Sequence, residues 1–151
     1  LSRIPGASRW FSGSAVVYRN ETKSAWLHVD PDQLADPRVG PVSRLTAQSM
    51  CAGVLDLTPE ADLAASITGH LGPDAPPELD GLVYVGVQRR APGNEFISAD
   101  VRPLRLASTL PADSPFDSLR LHRQHEAAVN VLLRLFEALC HALPGESEPD
   151  S

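Results

Sequence analysis

The sequence predicts an α/β domain, a three-layer α/β/α sandwich with helices on both faces of a largely parallel central sheet. Three observations carry that prediction. Short β-branched runs alternate with amphipathic helical patterns along the chain. One run, Leu82 to Val87 (LVYVGV), is almost wholly apolar and reads as a buried strand. The last long segment, His125 to Leu143, repeats apolar residues at helical spacing.

The elements follow in order. Pro5-Gly6 signals a turn, and the RWF segment after Ser8 suits one helical turn. Gly13 to Tyr18 (GSAVVY) reads as a buried strand. Asn20 is a candidate N-cap for a helix through Trp26 and Leu27. Asp30-Pro31 opens a brief helix that ends before Asp36-Pro37, since Pro is favoured at the first helical position. Ser43 caps a long helical pattern with Leu45, Cys51, Val54 and Leu55 on or near one face. Asp62 to Thr68 reads as a strand running into the turn-rich GHLGPDAPPELDG, which leads to the Leu82–Val87 strand. Phe96 to Leu106 is a further strand, weakened by Pro103. The final helix carries Ala128, Val131, Leu132, Leu135, Leu139 and Leu143 as its apolar stripe.

Composition bounds the function. The 151 residues suffice for one domain, assigned to residues 1–143, with an acidic solvated tail over 144–151. Thirteen Lys and Arg against nineteen Asp and Glu leave a net charge of −6. A nucleic-acid surface needs a basic field, so that class of partner is excluded. No apolar run approaches bilayer length, which excludes a membrane-spanning role. Cys51 and Cys140 both fall in amphipathic helical patterns; two buried thiols point to a reducing compartment, the cytoplasm. His122 and His125 lie three apart with no third ligand in view, so no metal is expected. The opening LSRIPGAS reads as the exit of a helix, and residues upstream of Leu1 are expected in the native protein.

Three segments then resemble one family in collinear order. PGASRWFSGSAVVYRNETK at 5–23 is similar to a pattern of PGSS with an aromatic residue, followed by GG-x-x-x-YSN-x-x-K. GPVS at 40–43 resembles a GAVS helix start. SITGHLGPD at 66–74 with GLVYVGV at 81–87 resembles VTGIAGPDGG…GTVYIAV. The family is the CinA C-terminal domain, whose enzymatic members are nicotinamide mononucleotide deamidases. In it a Ser, a Tyr and a Lys act together at offsets that fall here on Ser8, Tyr18 and Lys23. The resemblance implies an amidohydrolase: Ser8 attacks the carboxamide of a nicotinamide nucleotide, ammonia leaves, and water releases the acid. It further implies a CinA-like fold, no cofactor, a small nucleotide as partner and a homodimer. Asn20, Gly69, Gly72, Asp74 and Arg120 are the expected substrate-binding residues, with Arg123 the other candidate for the family's arginine near the final helix start.

The chemistry suits those residue types. A serine hydroxyl needs a base to become a nucleophile. A lysine serves if desolvation lowers its pKa, and a tyrosine hydroxyl between them can relay the proton. Backbone amides of the Gly69–Gly72 loop suit a phosphate. Taken singly, each residue has a plainer reading: Ser8 as a helix cap, Tyr18 as a half-buried aromatic, Lys23 as a solvated charge and His70 as a loop imidazole. Two departures separate this chain from the family pattern. The AESCTGG segment has no counterpart, and the APPELDG loop is two residues shorter, with two prolines and the acids Asp74, Glu78 and Asp80. A catalytically degenerate module that binds a nucleotide or protein partner is therefore the alternative. An oligomerisation domain is a third reading, and it predicts a flat apolar face on the final helix.

Overall fold

Among the described residues three strands follow one another with no helix between them, and that order sets the sheet. The computed structural model describes residues 1, 3–91, 93, 97 and 99–140. After a single 3-10 turn at Ala7–Arg9 come α1 (Asn20–Leu27), α2 (Pro31–Ala35) and α3 (Arg44–Leu57). Then come β1 (Leu63–Gly69), β2 (Leu82–Arg89) and β3 (Asp100–Arg105), and finally α4 (Leu119–Cys140). The sheet order is β1-β2-β3 and both pairings are antiparallel, with Ser66 opposite Gly86 and Gly86 opposite Val101.

The α/β class stands, but the expectation of a largely parallel sheet is overturned. A parallel pair needs a crossover that returns the chain to the same end, usually through a helix. Here the helices of the described residues lie before β1 or after β3, and residues 70–81 simply turn the chain back. The predicted strand Gly13–Tyr18 also fails to form: residues 11–18 take no regular structure, and Val16 and Tyr18 are 81% and 79% exposed. β-branched residues favour extended backbone, but only a partner strand makes a ladder. Only Val17 is buried there, in a cluster with Leu27, Val29, Leu34 and Met50.

Helices cover both faces of the sheet. The α3 face is polar and tight: Ser66 Oγ donates to Ala47 C=O at 2.6 Å and lies 3.2 Å from Cys51 Sγ. Gly86 sits opposite, where a Cβ would come within 2.9 Å of Ser66 Oγ. The α4 face is apolar, with Val83, Val85, Leu106 and Ala127 buried against Ile67 and Val131.

Two helix expectations need correction. α4 begins at Leu119, not His125, because Ser118 holds its first turn: Ser118 Oγ accepts from Leu121 N–H at 3.3 Å and Ser118 C=O from His122 N–H at 3.0 Å. Its buried residues are Arg123 and Ala127; Val131, a member of the predicted stripe, is partly buried against the same cluster, while Ala128 is exposed. Leu132 and Leu139, placed in the core by periodicity, are 43% and 54% exposed, as is Phe136 at 66%. Leu143, Phe96 and the 144–151 tail lie outside the described residues. Cys51 is buried as expected, but Cys140 is exposed.

Candidate functional site

Lys23 is the buried charge of α1. It lies one turn before Leu27 on the same helix face, so seating Leu27 in the core carries Lys23 inward to 6% exposure. Its Nζ donates to the Tyr18 carbonyl at 3.4 Å. Desolvation by burial lowers the amine's pKa from its ordinary value near 10.5, and the charge of Glu21 opposes that shift. A lysine so placed holds its neutral, basic form over a wider pH range than a solvated one.

The start of α1 differs from the sequence expectation in one detail. Arg19, not Asn20, occupies the cap, because the Thr22 hydroxyl accepts from Arg19 N–H at 3.1 Å and donates to Arg19 C=O at 2.8 Å. Asn20 is the exposed first residue of the helix. At the other end His28 takes a left-handed conformation, φ 54°, and the chain turns into Val29.

Tyr18 joins this corner to the rest of the molecule. Arg120 Nη2 donates to the Tyr18 hydroxyl at 3.4 Å, while Arg120 Nη1 bonds the Gly72 carbonyl. The structure therefore brings Lys23, Tyr18, Arg120 and Gly72 together. The Tyr18 phenol turns towards Arg120, and only the backbone of Tyr18 meets the lysine.

Ser8 stands apart. It sits on the exposed Ala7–Arg9 turn, and among the described residues its hydroxyl makes no hydrogen bond to Tyr18 or Lys23. A shallow hollow beside it is lined by Ile4, Pro5, Gly6, Ala7 and Phe11, all from its own segment.

The 70–81 loop is held by three arginines. Arg105 donates to the carbonyls of Glu78 and Asp80, each at 2.9 Å. Arg120 takes Gly72, and Arg123, only 2% exposed, donates to Leu71 C=O at 3.2 Å and to both Asp80 carboxylate oxygens at 2.7 Å. Gly72 needs to be glycine twice over: φ is 71°, and a Cβ would meet Asp80 Oδ1 at 2.9 Å and Arg123 Nη1 at 3.0 Å. Gly69 ends β1 with no room for a side chain, since a Cβ would lie 2.2 Å from Val83 Cγ1. Asp74 is an exposed residue of the loop. His70 uses its backbone at both ends, donating to Leu82 C=O and accepting from Gly81 N–H, each at 2.9 Å.

The two arginines near the start of α4 thus divide their work. Arg123 is a structural anchor within the fold, and Arg120 presents its guanidinium beside Tyr18. Arg105 had no part in the sequence reading; a lone arginine at the end of a strand carries no motif. Among the described residues no cluster of His, Cys, Asp or Glu is arranged to hold a metal, and no helix is long and apolar enough to cross a membrane.

Known proteins share this fold. The sequence matches the CinA C-terminal domain family over residues 1–101. A CinA-like protein of Myxococcus xanthus is 43% identical over 95 residues, covering 62% of this chain and 21% of that protein. A CinA-like protein of Thermosynechococcus vestitus is 39% identical over 104 residues, covering 68% of this chain and 24% of its own. The chain therefore spans between a fifth and a quarter of the length of these curated relatives. Among solved structures, the competence damage-inducible protein A of Klebsiella pneumoniae superposes with a TM-score of 0.74 at 21% identity, covering 93% of this chain and 77% of that one. The competence or damage-inducible protein of Enterobacter asburiae gives 0.71 at 23% identity, covering 91% and 76%. By its sequence match and its fold, the chain belongs to the CinA C-terminal domain family.

Proposed function

We propose that this chain is a CinA-like amidohydrolase that converts nicotinamide mononucleotide to nicotinic acid mononucleotide and ammonia. The observation that carries the reading is Lys23: a buried amine with a lowered pKa, one hydrogen bond from the backbone of Tyr18, whose hydroxyl meets Arg120. In the proposed reaction neutral Lys23 takes the Ser8 proton, directly or through the Tyr18 hydroxyl. Ser8 Oγ then attacks the carboxamide carbon. The resulting lysine ammonium returns the proton to the departing nitrogen as the C–N bond breaks, leaving a Ser8 ester that water hydrolyses. Arg120 suits the nucleotide phosphate. Asn20, Gly69, Gly72 and Asp74 are the further substrate contacts of this reading. Turnover requires the 8–12 segment to bring Ser8 onto Lys23, and the exposure of that segment leaves it room to do so.

A second copy of the chain is the proposed partner for the exposed apolar face of α4, which carries Leu132, Phe136 and Leu139. A cytoplasmic setting suits a nucleotide substrate.

The alternative, a degenerate module that binds without turnover, is favoured by one observation: the Ser8 hydroxyl lies on an exposed turn, unbonded to its base. Acid quenching during turnover separates the two. The hydrolase places the nucleotide acyl group on the Ser8 peptide, read by mass spectrometry. Folded protein that binds the nucleotide but never carries the acyl group belongs to the alternative.

A further inference from the structure

In the sequence Asp80 is one of three acids in the 70–81 loop, with Asp74 and Glu78. The structure sets it apart from the other two. Both of its carboxylate oxygens accept from Arg123, so its charge is answered within the fold. Asp74 and Glu78 are exposed.

The ion pair lies directly against the backbone of Gly72. A Cβ there would come within 2.9 Å of Asp80 Oδ1 and 3.0 Å of Arg123 Nη1. Gly81 meets the same guanidinium, where a Cβ would lie 3.3 Å from Arg123 Nη2. Both glycines have positive φ, 71° and 74°, so the loop approaches the pair with no side chain in between. Leu71 C=O accepts from Arg123 Nη1 one residue earlier.

What this contact fixes is the Gly72 carbonyl, the acceptor for Arg120 Nη1. Arg120 and Arg123 lie three apart on α4, which puts them on neighbouring positions of one helix face. Arg120 forms no ion pair with a carboxylate among the described residues, so its charge is open to an anion. A long arginine side chain has many rotamers. The Gly72 carbonyl and the Tyr18 hydroxyl are the two acceptors that select one here.

We propose that Asp80 is a positioning residue of the nucleotide site: through Arg123 it fixes the Gly72 carbonyl, which holds the Arg120 guanidinium beside Tyr18 for an anionic phosphate. The proposal rests on the nucleotide reading given above for Arg120. Asp80 touches no ligand itself, and its effect is confined to the phosphate end of the substrate.

The test compares Asp80→Asn and Arg123→Lys, each of which breaks the two-pronged pair, with Val101→Ala. Val101 is a buried residue of β3 opposite Gly86, at the other end of that strand from Arg105. Arg120→Ala supplies the reference in which the guanidinium is gone. Tyr18 ring resonances in the two ion-pair variants should move towards their positions in Arg120→Ala, and those of Val101→Ala should stay with the parent. Calorimetric titration in a Ser8→Ala background, which stops turnover, then compares nicotinamide mononucleotide with its nucleoside, which lacks the phosphate. Both ion-pair variants should bind the mononucleotide about tenfold more weakly and the nucleoside within about twofold of the parent. The proposal is overturned if the Tyr18 signals of both folded ion-pair variants coincide with the parent's, if Val101→Ala moves them as far, or if the nucleoside loses as much affinity as the nucleotide. A parent that binds neither ligand contradicts the nucleotide reading instead, and the Tyr18 signals alone then decide for or against Asp80.

Discussion

Arg123 and Asp80 form a two-pronged ion pair, 2.7 Å on each arm, between the start of α4 and the end of the 70–81 loop. The guanidinium is buried while the carboxylate is about one-third open to solvent, at 34%. The same guanidinium also serves Ala107 C=O at 2.7 Å and Leu71 C=O, so its removal strands three acceptors at once. Arg123→Ala should therefore cost about 3 kcal/mol, the lower end for breaking a buried pair, measured by urea denaturation. Asp80 adds a pH signature. Its hydrogen bond to Arg123 holds the carboxyl below its ordinary value near 3.8. That stability is complete above the unfolded value and is lost as pH falls through the folded one. Asp80→Asn should flatten the loss of stability below about pH 4.

Lys23 predicts a slope of the same sign in a more alkaline window. Its pKa is lowered in the folded chain, so between the folded value and 10.5 the unfolded state binds more protons. Folding stability contributed at this residue must then rise with pH across that window and be weakest below it. Lys23→Met removes the titrating group while keeping its bulk. The stability difference between parent and variant, measured by denaturation at pH 7 and pH 10, should shift in favour of the parent at the higher pH. A difference independent of pH would show the amine to be ordinary.

Gly53 reverses a general rule. Alanine in a helix interior is ordinarily worth up to about 1 kcal/mol over glycine. A Cβ at position 53 would lie 2.0 Å from the Leu27 carbonyl oxygen, where α1 ends against α3. That clash with backbone outweighs the propensity gain, and Gly53→Ala should destabilise the chain by about 2 kcal/mol. A thermal melt of the variant checks it, and the displaced helix also carries Lys23.

The two thiols should react as unlike groups. Burial pushes the Cys51 thiol up to about 11, against a weaker opposing pull from Ser66. Cys140 is exposed near the end of α4. An aromatic disulfide reagent at pH 8 should therefore label one cysteine quickly in the native chain and the second only on unfolding.

Much of the fold was legible in local signals. The β1 and β2 runs, the Asp30 and Ser43 caps and the long α3 pattern all lie within a residue or two of their predicted places. Strand direction was not legible, because alternation of element types says nothing about whether a helix stands between two particular strands. The GSAVVY segment shows the same limit, since its residues specify extended backbone but not a neighbour. For α4, periodicity named Val131, which packs on the sheet beside Ala127, but it also named Leu132 and Leu139, which stay outside, and it missed Ala127. Within the candidate site, Lys23 was singled out because three motifs agreed in order, and Arg120, with Arg123, through the family's arginine near the start of the final helix. Arg105 carries no sequence signal, and its role exists only once the loop folds back over it.

The most direct test of the central claim is ammonia release from nicotinamide mononucleotide, followed together with nicotinic acid mononucleotide, by the parent chain and by Ser8→Ala and Lys23→Ala. The account predicts turnover by the parent and a loss of at least about a hundredfold in both variants, since nucleophile and base act as one unit. Folded parent protein without turnover, or a Lys23→Ala variant as fast as the parent, would contradict it.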